Sequence, residues 1–402
     1  MTLNLQQQPE EISMTSPTPA FDGVICFGGV DWWYHNRGHY DLQMMREFSA
    51  RVPVLYVNSI GMRPPKVGEG AMFLKRIKRK LKSLRQGLVQ VRLNFAVFSP
   101  ATLPGGGNGA IGAWIAQKSL SFQVRRAARR CNIKAPLVWV ACPPGATVID
   151  DLDAVRVVYQ RTDRFEDFKG VDATKIKGFD HVLKARADAV LFCARELFNA
   201  EKGQNTQSLF VDHGVDYDSF EQAGRAADET GQEPEDLQGI ARPRVGFIGG
   251  IDSHTFDPDL FVEVVRALPE FQFVMIGACS LPDGWCPYKN VHLLGQRPYE
   301  QVASYMAACD VLIMPWNQSD WIKACNPVKM KEYLAVGRPV VSTYFPEVEY
   351  FKEHIAVASN AVEFAYLIKE AFNAPDNTLS RRERVRLHTW AAKANEVWNA
   401  LI

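Results

Sequence analysis

Residues 326–343, NPVKMKEYLAVGRPVVST, hold the densest grouping of side chains able to do chemistry. Written as a helix opening near Pro327, the stretch puts Lys329 and Glu332 three positions apart, hence on one face. Free N–H groups at a helix start, with a lysine on the first turns, make a diphosphate site, and the Glu332 carboxylate one turn on can accept hydrogen bonds from a ribose. A plain surface ion pair would use the same two residues. Against it, Gly337-Arg338-Pro339 leads straight into a strand, the setting in which open parallel sheets keep their crevices.

Three smaller groupings join it. Gly249 and Gly250 follow an apolar run in FIGGIDS, where absent side chains let a backbone approach a pyrophosphate or another chain. No full Gly-x-Gly-x-x-Gly fingerprint accompanies them, which counts against a nicotinamide cofactor, and no cofactor is expected. Asp163 stands after VRVVYQ, at the carboxyl end of a predicted strand. There it could take a proton as general base, or simply hold an Asx turn or cap. Asp31, His35, Arg37 and His39 crowd GGVDWWYHNRGHY: the histidines are candidate bases, Asp31 and Arg37 candidate acceptor or phosphate contacts, and loop or capping roles are the plain alternative. The histidines are four apart, but no third ligand at suitable spacing follows, so no metal is expected.

The elements that must position these residues are short β-branched and aromatic runs at intervals that leave room for helices. They fall at 24–27, 54–57, 137–140, 155–159, 190–193 and 209–211, then at 245–248, 271–276, 291–294, 311–314 and 339–342. Near-continuous apolar strands separated by helices mean parallel sheets covered on both faces, and two series mean two Rossmann-like halves in an α/β chain. The expected division is a disordered tail at 1–20, an N-terminal domain at 21–221, a polar acidic linker at 222–243, a C-terminal domain at 244–384 and a closing helix at 385–402. Trp390, Ala394, Val397 and Leu401 stand at helical spacing in that last segment.

With 402 residues, 47% of them hydrophobic, and 46 Lys and Arg against 45 Asp and Glu, the composition is that of an ordinary globular protein and excludes one devoted to nucleic acid. The start is too polar for a signal peptide and no apolar run is long enough to span a bilayer, so a cytoplasmic protein is expected. Eight cysteines are scattered without disulfide or zinc spacing. Lys75, Arg76, Lys78, Arg79 and Lys82, interleaved with Phe73, Leu74, Ile77 and Leu81, suggest a basic amphipathic helix that contacts anionic lipid; a solvated helix face is the alternative.

The stretch 326–343 resembles the donor-site signature of GT-B glycosyltransferases, especially the bacterial teichuronic-acid and xanthan glucuronosyltransferase types. Supporting pieces come in that family's order: GVICFGGVDWWYHNRGHY, VVYQRTDRFEDF, ADAVLFCARELF, LFVDHGVDYDSF, VGFIGGIDSHTFDPDLF and ACDVLIMPW. The resemblance implies two Rossmann-like domains facing across a cleft. It further implies metal-independent transfer of a sugar from a nucleotide donor, commonly a UDP-sugar, to a lipid-linked or polysaccharide acceptor at the inner face of the membrane. Asp163 matches the proposed base of the xanthan type, and Gly249 and Gly250 fall in the loop that faces the donor. One departure stands out: where Glu-x7-Glu is usual, Glu332 matches the second glutamate but Ala324 replaces the first. Asp151-Leu-Asp153 looks like the metal-binding Asp-x-Asp of the other glycosyltransferase fold, but it precedes a predicted strand, the wrong end of a parallel sheet. A sugar-nucleotide epimerase of the same fold and a non-catalytic scaffold subunit of a polysaccharide-assembly complex are the competing readings.

Overall fold

Runs such as GVICF, VLYV, PLVWV and VLIM are buried along their whole length, which requires cover on both faces of each sheet. A computed structural model describes residues 19–34, 38–62, 71–102, 109–168, 170–205 and 207–402, the side chains of 71–77 excepted. Its first sheet holds β1 (Gly23–Phe27), β2 (Val54–Val57), β3 (Leu88–Arg92), β4 (Phe95–Phe98), β5 (Pro136–Val140), β6 (Arg156–Arg161), β7 (Ala189–Phe192) and β8 (Ser208–Phe210). The second holds β9 (Arg244–Ile248), β10 (Gln272–Ile276), β11 (Val291–Gly295), β12 (Val311–Met314), β13 (Val340–Thr343) and β14 (Ile355–Ala358).

Strand order is β3-β4-β2-β1-β5-β6-β7-β8 in the first sheet and β11-β10-β9-β12-β13-β14 in the second. Every pairing is parallel except β3 with β4. The second order is the 3-2-1-4-5-6 of a doubly wound nucleotide-binding sheet, and the first repeats it around β1. The order therefore reverses between β1 and β5 and between β9 and β12, and a crevice opens at the carboxyl ends of each pair.

The helices are α1 (Tyr40–Phe48), α2 (Ala71–Gln86), α3 (Gly109–Arg130), α4 (Ala173–Arg186), α5 (Arg195–Glu201), α6 (Tyr217–Thr230) and α7 (Pro258–Ala267). After them come α8 (Tyr299–Ala307), α9 (Asp320–Lys323), α10 (Val328–Val336), α11 (Ala361–Asn373), α12 (Thr378–Val385) and α13 (Trp390–Leu401). Local signals start several of them: the side chains of Asp172, Asp257, Asn360 and Thr389 each accept from a backbone N–H in the first turn.

Two expectations change. Residues 222–230, read as the start of a linker, complete α6, which packs on α8 and α10 of the second half and ends at Gly231 with φ +67°. Acidic side chains of this stretch are the outer face of that helix and ion-pair partners: Glu233 binds the buried Arg244 (2.5 Å) and Asp236 binds Arg297 (2.6 Å). The closing helix α13 does bury Trp390, Ala394, Val397 and Leu401, but against the first sheet. Trp398 lies edge-on to Phe21 and Phe48 at 5.4 and 5.5 Å, so the chain's end clasps its beginning. Strands β3, β4 and β14 had no counterpart in the expected series. Most cysteines are buried or half-buried thiols; Cys279 is exposed.

Candidate functional site

The crevice of the second sheet is built from the ends of β9 and β12 and the start of α10. Gly249 leaves β9 with φ +155°, a conformation that favours glycine. A Cβ there would overlap the Lys329 ammonium, so the glycine is what lets the lysine lie against the backbone. The Ile248 N–H donates to the Tyr333 hydroxyl at 3.0 Å, which ties β9 to α10. Lys329 Nζ sits 4.9 Å from the centre of the Phe247 ring and 5.4 Å from that of Trp316. It makes no ion pair or hydrogen bond among the described residues. Burial lowers its pKa from 10.5 to about 8.

Glu332 lies one turn on and does not pair with Lys329. Its carboxylate is 5% exposed and accepts from the Tyr299 hydroxyl at 3.0 Å through Oε1. Burial pushes its pKa up to about 7, against the pull of that hydroxyl and of Lys329. Asp252 continues the Gly249-Gly250 turn and accepts from the N–H groups of His254 (2.9 Å) and Thr255 (3.1 Å). The Trp316 indole N–H and Asn326 Oδ1 are buried here without a hydrogen-bond partner among the described residues.

Opposite, Asp163 leaves the carboxyl end of β6, one strand from the first sheet's switch point. Burial raises its pKa, partly offset by Arg161, His39 and His254. His39 belongs to the first half and His254 to the second, so charge from both halves acts on this carboxylate. Arg161, 1% exposed, holds the turn. It donates to the Asp163 carbonyl (2.9 Å) and to Glu166 (2.9 Å) and pairs with Glu201 (3.1 Å) and Asp180 (3.3 Å).

Other sequence candidates divide. Asp31 accepts from the Trp33 N–H at 3.0 Å, a local Asx turn. His39 stands exposed at the N-cap of α1 and makes no capping bond there. His35 and Arg37 lie outside the described residues, as do the side chains of Lys75 and Arg76. Lys78, Arg79 and Lys82 are exposed on α2. Asp151 and Asp153 pair with Lys118 and Arg125 of α3, each at 2.7 Å. Ala324 is 9% exposed and closes the short helix α9. Among the described residues no cluster of three or more His, Cys, Asp or Glu could hold a metal.

Sequence reasoning missed the residues that frame this site. Phe247 and His254 lie in VGFIGGIDSHTFDPDLF and Trp316 ends ACDVLIMPW, but nothing in those pieces marked the three as site residues, and for Tyr299 only its place after β11 could have suggested it. The two halves meet through a buried charge cluster. Asp212, following β8, takes Lys331 and Lys393 at 2.5 Å each, and Asn326 Nδ2 donates to the Cys193 carbonyl at 2.7 Å. Burial pushes the Asp212 carboxyl up, but the two ammoniums outweigh it and hold the group well below the usual range; burial lowers Lys331 to about 8. His213, lowered by burial to about 3, stays neutral between Tyr40 and Trp390. A cavity of about 550 Å³ opens nearby between α1, α6 and α8. It reaches neither Lys329 nor Asp163, and Tyr299, whose hydroxyl serves Glu332, forms part of its wall.

Residues 242–373 match the family described as Glycosyl transferases group 1. A Bacillus subtilis (strain 168) protein, "Putative teichuronic acid biosynthesis glycosyltransferase TuaH", is 32% identical over 142 residues, 34% of either chain, so the match spans about a third of that relative's length. Among solved structures, sucrose-phosphate synthase from Thermosynechococcus elongatus superposes with TM-score 0.68 at 14% identity, covering 94% of this chain and 98% of that one. HepE of Anabaena in complex with UDP and glucose gives 0.63 at 12% identity, covering 95% and 99%. An Escherichia coli structure titled "Trehalose-6-phosphate" and bound with UDP-2-fluoro glucose gives 0.64 at 11%, covering 94% and 98%. With its two facing doubly wound sheets, the chain has the GT-B fold, and the match to the glycosyl transferases group 1 family falls on its second half.

Proposed function

We propose that the protein transfers a sugar from a nucleotide donor, a UDP-sugar, to a lipid-linked or polysaccharide acceptor in cell-surface or exopolysaccharide biosynthesis. The observation that carries this reading is the unpaired Lys329 ammonium, seated over Gly249 at the switch point of the second sheet, with Asp163 across the cleft. Lys329 and the N–H groups that open α10 neutralise charge growing on the leaving diphosphate, the task a metal performs elsewhere. Glu332, its Oε1 held by Tyr299, keeps Oε2 for the ribose. Asp163, raised by burial and held at its carbonyl by Arg161, accepts the proton of the acceptor hydroxyl. Ala324 offers no carboxylate to the donor sugar, so sugar selection falls to other contacts. The exposed Lys78, Arg79 and Lys82 support work on the inner face of the membrane, where anionic headgroups would attract them.

A thermal-shift panel of nucleotide sugars, followed by transfer assays with and without EDTA, tests the proposal. A donor at ~100 times its Kd stabilises the fold by ~2.7 kcal/mol, and transfer that survives EDTA supports the lysine in the metal's role. No stabilisation by any nucleotide sugar refutes the donor site and leaves the scaffold reading. Binding without transfer, but with isomerisation of the donor, establishes the epimerase instead.

A further inference from the structure

The near-neutral net charge hides a segregation. Residues 70–134 contain 14 Lys and Arg and no Asp or Glu, so the other 32 basic residues stand against all 45 acidic ones. A chain of formal charge +1 thus divides into a +14 segment and a −13 remainder. Helices α2 and α3 lie in the basic segment.

Helix α3 buries Leu120, Ser121, Val124, Ala127 and Ala128, so positions about half a turn away point outward. Ile111, Ile115 and Phe122 occupy that outward stripe, 77, 49 and 67% exposed, and Trp114, 59% exposed, lies at its edge one turn before Lys118. Further along it, Arg126 and Arg129 are exposed and make no ion pair among the described residues. The helix is anchored from beside the stripe by the Lys118–Asp151 and Arg125–Asp153 pairs. Helix α2 adds Leu81, 55% exposed, among Lys78, Arg79, Lys82 and Arg85. One short loop binds both helices: Ser99 Oγ lies 3.0 Å from Ser83 Oγ of α2, and Ala101 exchanges bonds of 2.9 and 3.0 Å with Gln123 of α3.

We infer that α3 is the apolar anchor of a membrane-docking face, with Trp114, Ile115 and Phe122 entering the headgroup boundary of an anionic bilayer while the lysines and arginines of both helices meet lipid phosphates. Charge selects this occupant, because a second copy would bring two strongly positive segments face to face, whereas anionic lipid neutralises them. Aromatic and branched side chains ringed by basic residues are the pattern of helices that lie in the interface plane. No helix among the described residues is long and apolar enough to cross a membrane, so docking is superficial. The inference deepens the membrane reading above and rests on it for its purpose, but its test needs neither donor nor acceptor.

Full-length protein is sedimented with vesicles of phosphatidylcholine alone or with roughly one-third phosphatidylglycerol. Expected is pelleting with the anionic vesicles only, weakened ~10-fold or more in Trp114→Ala/Phe122→Ala, and also in Arg126→Glu/Arg129→Glu. All four positions are exposed, and nucleotide-sugar binding equal to wild type confirms that each variant is folded. Unchanged pelleting of the Trp114/Phe122 variant, or equal pelleting with neutral vesicles, overturns the inference. So does an α3-dependent dimer, or an α3-dependent complex with an acidic protein, in place of lipid binding. Should wild type bind vesicles but no nucleotide sugar, the donor reading fails and the docking face stands.

Discussion

Replacing Lys329 by methionine should weaken donor binding while raising stability, a combination that a structural lysine would not give. The ammonium is half-buried against two aromatic rings and a glycine, and Glu332 and Asp252 attract it without forming an ion pair. Its pKa falls from 10.5 to about 8; at ~1.4 kcal/mol per unit, the folded protein carries up to about 3 kcal/mol of unfavourable charge burial at pH 7. Attraction to the Glu332 and Asp252 carboxylates is already inside that net figure. Methionine keeps the stem and removes the charge, so ~1–3 kcal/mol of stability should appear in chemical denaturation. The sign has a pH signature. Below pH 8 the lysine is charged in both states and the full penalty applies; between about 8 and 10.5 only the unfolded chain keeps the proton, so wild-type stability climbs toward that of the variant. UDP affinity, measured by calorimetry at pH 7, should drop roughly 10- to 150-fold, the worth of a charge-assisted contact of ~1.5–3 kcal/mol. A methionine variant that loses ~1 kcal/mol or more, or that binds UDP as well as wild type, would refute the assignment of an unpaired, donor-directed ammonium.

Four further outcomes follow from the geometry. Asp163→Asn should retain donor affinity and lower turnover by ~100-fold or more, since asparagine fills the space but takes no proton; steady-state kinetics with a separate binding titration distinguish this from a lost turn. Donor affinity in wild type should peak between about pH 7 and 8, falling above as Lys329 loses its proton and below as Glu332 gains one; Glu332→Gln should flatten the acid limb, and a pH-independent Kd would contradict both roles. Gly249→Ala should abolish donor binding and cost ~1–3 kcal/mol in a thermal melt, because its Cβ meets Lys329 at a φ that side chains avoid. Asp212→Asn should destabilise by ~3–5 kcal/mol, leaving Lys331 buried beside Lys393 without a counter-charge; in wild type this contribution persists down to acid pH, because the folded-state pKa of Asp212 is depressed.

Strands with both faces buried announce themselves as unbroken apolar runs, so eleven of the fourteen strands among the described residues were legible, and with them the carboxyl ends after which Gly249 and Asp163 fall. Lys329 and Glu332 were legible for a similar reason, since helical spacing alone puts them on one face. What local spacing could not show is whether they pair. The tertiary structure separates them by lending Glu332 the hydroxyl of Tyr299, 33 positions away in sequence, and by seating Lys329 on a glycine turn 80 positions upstream. Composition misled over 222–230, because a helix of small and polar residues looks like a linker until α8 and α10 supply the surface that it covers. Strand β3 escaped notice because this edge strand, LVQVR, keeps one side in solvent and breaks the apolar run, whereas β4 and β14 are apolar runs, FAVF and IAVA, of only four residues. Nor could sequence order place α13 across the first sheet: that depends on Phe21 and Phe48 offering apolar rings where Trp398 arrives. Short-range periodicity thus determined the elements and the functional side chains within them, while long-range burial and charge decided which ionisable groups stay unpaired, and so which are free to act.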